Sequence, residues 1–285
     1  MIITIVTRNE DGNLVRSSVV RPPLRWAGSK RALLPKLIAE LPSEFEKYYE
    51  PFFGSGCLYF SIRPKQAKVG DFNPDLIDFY AALRDAPDAV VSAFLRLPIS
   101  DAEYYELRAK NPANMEAADR AARFLYLNRY SFNGVYRTNR SGQFNVPVGK
   151  KAGAPPSRTE LLAAAHALGL TKLSNADYKE TLRDVRQGDF VYLDPPYVNP
   201  LRKGYGEYGY GSFGAEGDML QLNNELLRLH HLGAKVLFSF GSAMGLETAL
   251  DGWEVMSVSP RQSVASSSSA RKHNPTEILA RNYIA

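Results

Sequence analysis

The amino-acid sequence predicts an α/β fold in which an inserted, mainly helical module interrupts a sheet-forming domain. Short apolar runs typical of buried strands alternate along the chain with segments whose apolar residues recur at helical spacing. Between residues 129 and 156 the alternation gives way to a stretch rich in Asn, Gly, Arg, Ser and Pro. We therefore assign residues 1–72 and 157–285 to a split α/β domain and residues 73–156 to the insertion.

Local signals place the individual elements. Strands are predicted at residues 48–53, 67–71, 190–193, 236–240, 253–258 and 278–283. Helices are predicted at residues 31–41, from 57, from 74, from 100, from 114, at 159–169 and at 218–232. Asn73 precedes Pro74 as an N-cap, and Asn114 is the expected start of a longer helix. Two low-complexity patches, residues 204–214 and 266–269, are expected to be loops.

Composition limits the range of functions. The 285 residues include 35 Lys and Arg against 30 Asp and Glu, a net charge of +5 that is compatible with a polyanionic partner. A single cysteine, Cys57, excludes an internal disulfide and a cysteine-based zinc site, and the four histidines lack metal-ligand spacing, so no metal is expected. No apolar stretch approaches membrane-spanning length, and residues 1–20 do not resemble a signal peptide. We expect a cytoplasmic protein without a membrane partner; its oligomeric state stays open.

The tetrapeptide Asp194-Pro195-Pro196-Tyr197 comes directly after the apolar run of residues 190–193. The prolines end the predicted strand, so the acidic side chain stands at the strand's carboxyl end, where open α/β sheets bind ligands. The Asp194 carboxylate and the Pro195 carbonyl can both accept hydrogen bonds from one amino group, and Tyr197 offers a face on which a base can stack. Taken alone, the tetrapeptide is equally consistent with a strand end, a turn and a surface tyrosine.

A second motif, residues 50–56, joins a predicted strand to a Gly-x-Gly turn whose backbone can approach a ligand closely. Asp71 ends the next strand, where a carboxylate can accept hydrogen bonds from both hydroxyls of a ribose. The six-residue glycine fingerprint is absent because Tyr59 stands at the third glycine position, and no phosphate-binding Gly-Lys-Ser/Thr loop is found. An adenosine cofactor without a pyrophosphate therefore fits better than NAD or ATP, and S-adenosylmethionine is the leading candidate.

A third motif, residues 25–30, precedes the first predicted helix. Trp26 could stack on an adenine or close over a cofactor, and Lys30 could pair with the carboxylate of the cofactor's amino-acid end. The same residues also fit a helix-entry loop with Ser29 as the cap, an anchoring tryptophan and a solvated lysine. On these residues alone the second interpretation is favoured.

Together these segments closely resemble the DNA adenine methyltransferases of the Dam type, including the DpnII-system adenine methylase. The resemblance extends from about Pro23 to the C-terminus. Its most distinctive part is Phe124-Leu-Tyr-Leu-Asn-Arg-Tyr-Ser-Phe-Asn-Gly-Val-Tyr-Arg137, followed by Gln143-Phe-Asn-Val-Pro147. The other matching segments are residues 25–30, 50–56, 71–77 and 194–197.

The resemblance implies a Rossmann-like S-adenosylmethionine-dependent methyltransferase domain with an inserted target-recognition domain that binds double-stranded DNA. The implied catalytic residues are Asp194, Pro195, Pro196 and Tyr197. The implied cofactor-binding residues are Trp26, Lys30, Phe53, Gly54, Ser55, Gly56, Asp71 and Asp194. The implied DNA-binding residues are Arg25, Arg129, Phe132, Asn133, Val135, Arg137, Asn139, Arg140, Pro147 and Lys151.

The resemblance also implies methylation of adenine N6 in GATC by base flipping. Arg137 is expected to read a guanine through O6 and N7, and Phe132 to occupy the stack that the adenine leaves. Val135 and Pro147 are expected to contact a thymine methyl group. The residues expected at phosphates are Arg129, Arg140, Lys150 and Lys151. Whether a restriction endonuclease acting on the same site is a partner stays open.

Three departures and several alternatives accompany this interpretation. Arg25 replaces the family's usual lysine, Ser29 replaces a glycine, and Phe240 stands where asparagine is common. The main alternatives are an N4-cytosine DNA methyltransferase, which usually begins the tetrapeptide with Ser, and a catalytically silent DNA-binding relative. Methyltransferases of protein glutamine or RNA adenine generally carry Asn in place of Asp194 and lack the segment from 129 to 147. A nicotinamide-dependent oxidoreductase is disfavoured by the missing fingerprint.

Overall fold

The computed structural model describes the chain in eight stretches. These are residues 4–8, 14–18, 20–139, 141–150, 153–196, 216–241, 250–258 and 277–285. The chain divides into two compact units. Unit 1 comprises Met1–Ser29, Gly54–Lys65 and Pro74–Thr171, and unit 2 comprises Lys30–Phe53, Gln66–Asn73 and Lys172–Ala285. The two low-complexity patches, residues 204–214 and 266–269, lie outside the described residues.

Strands and helices alternate over residues 34–71 and 172–241, and the named elements described between residues 74 and 168 are all helical. In chain order the elements are β1 (Thr4–Arg8), β2 (Leu14–Ser18), a 3-10 helix (Lys30–Ala32), α1 (Leu34–Ala39), β3 (Tyr48–Glu50), α2 (Cys57–Ile62), β4 (Ala67–Asp71), α3 (Pro74–Asp85), α4 (Pro87–Leu95), α5 (Asp101–Ala109), a 3-10 helix (Pro112–Asn114), α6 (Ala117–Tyr130), a 3-10 helix (Phe132–Gly134), α7 (Arg158–Leu168), β5 (Lys172–Asn175), α8 (Tyr178–Leu182), β6 (Phe190–Leu193), α9 (Glu216–Leu232), β7 (Lys235–Gly241), β8 (Glu254–Val258) and β9 (Glu277–Arg281). No helix in these stretches combines the length and apolar character needed to cross a membrane.

Unit 2 is built on a sheet whose described strands run in the order β5-β4-β3-β6-β7-β9-β8. The strands from β5 to β7 pair in parallel, and β9 is antiparallel to both of its neighbours. The chain builds outward from β3 through β4 to β5 and then returns to place β6 on the other side of β3. The carboxyl ends of β3 and β6 therefore flank a topological switch point, where open α/β sheets bind their ligands. This mixed sheet confirms the predicted α/β fold.

The central strands of unit 2 are continuous apolar segments because both of their faces are buried in its core. All four residues of β6 are buried, as expected for a central strand of a parallel sheet. Apolar side chains of α8, α9 and the sheet form one cluster. Its members include Tyr178, Leu182, Val191, Leu193, Leu222, Leu226, Leu229, Val236, Phe238 and Ala280. Burial of these side chains is the main source of stability for the platform that carries the candidate catalytic residue.

Unit 1 is mainly helical. α6 packs against α3, α4 and α5, and α7 packs against α3 and α4. The buried faces carry Leu and aromatic residues at helical spacing, such as Leu76, Phe79, Tyr80 and Leu83 on α3. β1 and β2 form an antiparallel pair in the same unit. The assignment of residues 73–156 as the DNA-recognition domain stays a prediction.

The sequence misplaced or missed several elements. The predicted helix start at Asn114 is wrong: Asn111 caps a 3-10 turn that ends at Asn114, and α6 begins only at Ala117. β5 was not predicted because three of its four residues are polar and all four are half-exposed or exposed, as befits an edge strand that pairs with β4 alone among the described strands. α4 was also missed, although Pro87 at its first position is a helix-start signal.

Gly70 of β4 provides a test of the packing beneath the switch point. A Cβ at this position would overlap the Thr181 hydroxyl and lie 3.2 Å from the Ser174 carbonyl oxygen. We expect Gly70→Ala to lower the free energy of unfolding by about 1–3 kcal/mol, because the buried neighbours must shift. Chemical denaturation measures the change. Adding Thr181→Ala should restore part of the loss.

The matched control for Gly70 is Gly217 in α9. A Cβ at Gly217 would contact nothing within 4 Å, so Gly217→Ala should leave stability unchanged or raise it slightly. Equal stability of Gly70→Ala and the wild-type protein would contradict the packing described for β4 and α8.

Candidate functional site

The candidate catalytic carboxylate stands where the sequence predicts it. Asp194 is the first residue after β6, at the carboxyl end of that strand. Lys30, in the 3-10 helix that opens unit 2, donates a hydrogen bond to Asp194 Oδ1 over 2.5 Å. The Lys30 side chain is only 8% exposed and that of Asp194 17% exposed, so this ion pair is largely shielded from water. Such a pair holds the carboxylate in one orientation.

Two residues that the sequence did not single out complete this cluster. Ser239 on β7 lies 3.2 Å from Asp194 Oδ1 and donates over 2.9 Å to Glu277 Oε1. Glu277 begins β9, and its Oε1 lies 3.4 Å from Lys30 Nζ. β9 is antiparallel to β7, so its first residue lies at the same edge of the sheet as the carboxyl end of β7. We call Lys30, Asp194, Ser239 and Glu277 the carboxylate cluster.

The electrostatics of the carboxylate cluster shift the proton affinity of Asp194. Burial raises the pKa of the Asp194 carboxyl above its ordinary value, and the like charge of Glu277 adds to the rise. The Lys30 ammonium and the hydrogen bond from Ser239 oppose it. The ionised form of Asp194 is therefore less favourable than in water. This is typical of a carboxylate at a functional site, where a positively charged ligand can compensate for the buried negative charge.

The second predicted ligand-binding carboxylate, Asp71, ends β4. Its Oδ1 accepts a hydrogen bond from the Asn73 backbone over 3.0 Å, and its carbonyl oxygen accepts one from the Asn175 side chain over 3.1 Å. Asn175 also binds the Phe72 carbonyl oxygen, so the turn after β4 is fixed on both sides. The Phe72 ring itself is 59% exposed. An exposed aromatic face next to a strand-end carboxylate is a ready contact for a flat ring, and the sequence did not identify it.

The cofactor loop leaves β3 in a defined conformation. The Phe53 backbone N–H donates to the Gly70 carbonyl oxygen over 2.8 Å, which extends the contact with β4 beyond the last residue of β3. Phe53 is buried. Upstream, the buried Glu50 accepts a hydrogen bond from Tyr48 over 2.8 Å. The part of the loop that belongs to unit 2 is thereby held against the sheet.

Within unit 1 the two glycines of the loop both adopt positive φ angles, 47° at Gly54 and 62° at Gly56. A Cβ on Gly54 would lie 2.8 Å from the Trp26 ring, so glycine is required for the close approach as well as for the backbone angle. The Gly54 carbonyl accepts a hydrogen bond from Tyr80, and Ser55 donates to Ser29. Trp26, Gly54, Ser55 and Gly56 are thus brought together as predicted residues of one loop cluster.

Trp26 is also joined to the predicted recognition segment. Its ring stacks on Tyr136 at a centroid distance of 5.7 Å and contacts Phe124 at 6.4 Å. The Tyr136 hydroxyl donates to Asp75 at the start of α3. Tyr136 immediately precedes Arg137 in the chain, so packing in unit 1 connects the tryptophan to the backbone that bears the predicted guanine reader.

The segment after α6 folds into a hairpin that presents Arg137. The backbones of Asn139 and Gln143 are hydrogen-bonded over 2.8 Å, and Asn145 donates to the Arg137 carbonyl over 3.1 Å. The Asn139 side chain accepts from the backbone N–H groups of Ser141 and Gln143, which closes the tip. Arg137 is exposed, and its Nε donates to the Asn145 side chain over 2.8 Å. The hydrogen bond to Asn145 therefore fixes the orientation of the exposed Arg137 guanidinium group.

The turn before Arg137 presents an aromatic side chain. Phe132 is 54% exposed, and its backbone N–H donates to the Pro147 carbonyl over 2.9 Å. Asn133 adopts φ 55°, a left-handed conformation that asparagine tolerates better than most residues. Pro147 is exposed and Val135 is half-buried. These residues share the loop surface that the resemblance assigns to DNA.

Arg25 is more constrained than the sequence suggests. Its backbone N–H and carbonyl both bind the Asn128 side chain, over 2.9 Å and 2.6 Å. Its guanidinium reaches the Arg129 carbonyl at 3.4 Å, and a Cβ on Gly134 would lie 2.8 Å from the Arg25 side chain. The Arg129 side chain binds the Ala154 carbonyl. Both arginines are thus anchored within unit 1.

Some predicted residues cannot be placed. Tyr197, Arg140 and Lys151 lie outside the described residues. Pro195 is buried and Pro196 half-buried. Among the described side chains, no group of three or more His, Cys, Asp or Glu is arranged to hold a metal ion.

The family of the chain follows from comparison with known proteins. Residues 26–258 match the family model described as D12 class N6 adenine-specific DNA methyltransferase. The chain is 31% identical to type II methyltransferase M1.LlaDCHI of Lactococcus lactis subsp. cremoris over 284 residues, covering 95% of this chain and 99% of that protein. It is 29% identical to type II methyltransferase M.MjaIII of Methanocaldococcus jannaschii over 292 residues, covering 93% and 99%. It is 30% identical to the retron Ec67 DNA adenine methylase of Escherichia coli over 262 residues, covering 90% of each.

The chain therefore belongs to the D12 class of adenine-specific DNA methyltransferases, enzymes that take their methyl group from S-adenosylmethionine. The resemblance drawn from the sequence motifs is confirmed, as are the enzyme class and the cofactor. The roles of individual site residues stay predictions.

The raised pKa of Asp194 makes a prediction about stability. Because the pKa is higher in the folded than in the unfolded chain, ionisation of Asp194 lowers the free energy of unfolding at neutral pH. The effect vanishes below the unfolded-state pKa of about 3.9, where the carboxyl is protonated in both states. We expect Asp194→Asn to unfold at a higher temperature than the wild type at pH 8, with a difference that shrinks towards pH 4. Scanning calorimetry across this range measures it.

Asp85 supplies a control of opposite sign. A hydrogen bond from Arg84 lowers the pKa of Asp85, so Asp85→Asn should lose stability at neutral pH, and the loss should disappear in acid. A destabilised Asp194→Asn at pH 8 would contradict the electrostatics described for the carboxylate cluster.

Proposed function

We propose that this chain is a site-specific methyltransferase that transfers a methyl group from S-adenosylmethionine to N6 of adenine in double-stranded DNA, at GATC, by base flipping. The observation that carries the proposal is Asp194 at the carboxyl end of β6, oriented by Lys30 beside the switch point of the sheet. The site residues named below are part of the proposal.

The chemistry requires an acceptor pair for the target amino group. The N6 nitrogen of adenine is a poor nucleophile, because its lone pair is delocalised into the ring. Hydrogen bonds from N6 to the Asp194 carboxylate and the Pro195 carbonyl draw the nitrogen towards tetrahedral geometry and free the lone pair for in-line attack on the methyl sulfonium. Flipping the base costs a few kcal/mol, and stacking on Tyr197 returns about 1–3 kcal/mol. Lys30 and Ser239 both contact Asp194 Oδ1 and so hold the carboxylate in place for this exchange.

The cofactor assignment rests on local geometry. Asp71 binds the ribose hydroxyls through charge-assisted hydrogen bonds, and the exposed Phe72 ring beside it contacts the adenine of the cofactor. The backbone of Phe53, Gly54, Ser55 and Gly56 contacts the methionine part, with Trp26 packed alongside. Lys30 binds the cofactor carboxylate by a charge-assisted hydrogen bond.

The DNA assignment rests on the hairpin. Arg137, held through its Nε by Asn145, donates from its terminal nitrogens to guanine O6 and N7. The exposed Phe132 enters the stack where the adenine leaves, and Val135 and Pro147 contact a thymine methyl group. Arg25 reads or positions the outer base pair. Asn133 and Asn139 provide further polar contacts of the loop with DNA. The basic residues assigned to phosphates are Arg129, Arg140, Lys150 and Lys151.

The names of the relatives, rather than the fold, bear on the biological setting. Two relatives are named type II methyltransferases, and the retron protein is named a DNA adenine methylase. A cognate restriction endonuclease that cuts the same site is consistent with the first two names. A DNA substrate is also consistent with the predicted cytoplasmic location.

Modified-base sequencing tests the proposal directly. Plasmid DNA from a methylation-deficient host that expresses the chain should carry N6-methyladenine in GATC, whereas DNA from cells expressing Asp194→Ala should carry none. Methylation at another sequence would overturn the specificity, and N4-methylcytosine would identify the alternative reaction. Unmodified DNA from a well-folded wild-type protein that binds the duplex would indicate the catalytically silent relative.

Specificity makes a separate prediction. Arg137→Ala should lose discrimination at one base pair of the site, worth about 1–3 kcal/mol, because its bidentate contact to guanine is removed. Competition between cognate and single-substituted duplexes in a methyl-transfer assay measures the change. The control, Lys150→Ala, should weaken all duplexes alike and reduce the salt dependence of binding, since a phosphate contact carries no sequence information. Full discrimination at every position by Arg137→Ala would exclude the proposed reader.

A further inference from the structure

Two carboxylates in unit 2 share one buried ammonium. Lys30 Nζ lies 2.5 Å from Asp194 Oδ1 and 3.4 Å from Glu277 Oε1. The three side chains are between 8% and 17% exposed, so solvent screens their charges only weakly. With both carboxylates ionised the three groups carry a net charge of −1. A pair made of Lys30 and Asp194 alone would be neutral.

Ser239 holds the two like charges next to each other. Its hydroxyl lies 2.9 Å from Glu277 Oε1 and 3.2 Å from Asp194 Oδ1, yet it has one proton to donate. Ser239 can therefore donate a hydrogen bond to only one of the two carboxylates at a time. The positive charge of Lys30 reduces the repulsion between them. β7 and β9 are paired through Gly241 and Glu277, so the spacing is set by the sheet.

The net charge matters because of how methyl transfer moves charge. The N6 lone pair forms the new N–C bond, the electron pair of the breaking S–C bond stays on sulfur, and the positive charge passes from sulfur to N6. N6 then releases one proton to solvent. A negative group near N6 stabilises the developing charge, and in a site with little water this effect is large. The Lys30 ammonium works against it, because it cancels the charge of Asp194.

We propose that Glu277 is a positioning residue that offsets the charge of Lys30, so that the oriented Asp194 acts on the target amino group within a cluster of net charge −1. The inference rests on the proposed function, because it concerns the same transfer. It assigns to Lys30 the task of orienting Asp194, and to Glu277 the task of restoring the negative charge that this orientation removes. Glu277 needs no contact with the substrate.

Single-turnover methylation of a GATC duplex at saturating S-adenosylmethionine tests the inference. Glu277→Gln preserves size and hydrogen bonding but removes the charge. We expect its transfer rate to fall at least about tenfold, with little change in the dissociation constants for DNA and cofactor. Glu277→Asp should retain most of the rate, because it keeps the charge. The matched control is Glu254→Gln on β8, an exposed carboxylate paired with Arg281, which should transfer at the wild-type rate.

The two Glu277 variants separate charge balance from simple support. Glu277→Gln keeps the length of the side chain and loses its charge, whereas Glu277→Asp keeps the charge on a shorter side chain. If Glu277 merely held Lys30 in place by contact, Glu277→Asp would transfer no faster than Glu277→Gln. Thermal unfolding of each variant confirms that folded protein is compared.

The outcomes are distinct. A wild-type rate for Glu277→Gln, or a Glu277→Asp variant no faster than Glu277→Gln, overturns the inference while leaving the proposed function intact. A wild-type protein that methylates no adenine overturns the proposed function itself, and the inference with it. A slow Glu277→Gln together with a Glu277→Asp that retains most of the wild-type rate supports both.

Discussion

The site depends on one interaction, the shielded ion pair between Lys30 and Asp194. A carboxylate at a strand end has rotational freedom, and a hydrogen-bond acceptor can shape the geometry of an amino group only if its own orientation is fixed. The 2.5 Å contact supplies that fixation from a residue more than 160 positions away in the chain. It exists because the crossover from β5 to β6 returns the chain to the side of β3, next to the segment that begins with Lys30. Topology, rather than local sequence, sets the electrostatic environment of Asp194.

Burial gives this ion pair its second property. Desolvation disfavours the negative charge on Asp194, and a positively charged ligand would compensate for this cost. Without ligands, the ionised carboxylate therefore lowers the free energy of unfolding relative to a neutral side chain of the same shape. The cost of burying the charge is offset by the apolar core of the sheet, which includes Val191 and Leu193 of β6. A sheet with fully buried central strands is stable enough to carry a group of buried charges at its edge. Reactive sites in proteins commonly depend on a stable scaffold in this way.

The sequence predicted what depends on short-range signals and missed what depends on pairing. The tetrapeptide at Asp194, the glycine turn and the strand of residues 190–193 were identified because proline, glycine and buried β-branched or aromatic residues act on their own neighbours. β5 was missed because a polar edge strand has no local signature. Ser239 and Glu277 were missed for a related reason: both are ordinary polar residues until the β7–β9 register brings them to Asp194. Lys30 was identified as a partner of the cofactor, but in the structure it binds Asp194, the proposed catalytic carboxylate.

The side chain of Asn128 has a consequence for the segment that carries Arg25 and Trp26. By accepting from the N–H and donating to the C=O of one residue, a single amide imitates the pairing that a neighbouring β-strand would offer. A slip of the segment by one residue along α6 would break both bonds and move the side chain of Trp26 to the place of Arg25. A carboxylate could accept but not donate, and a hydroxyl could not span both groups. The register of an irregular stretch of chain is thus encoded in one uncharged polar side chain on a helix.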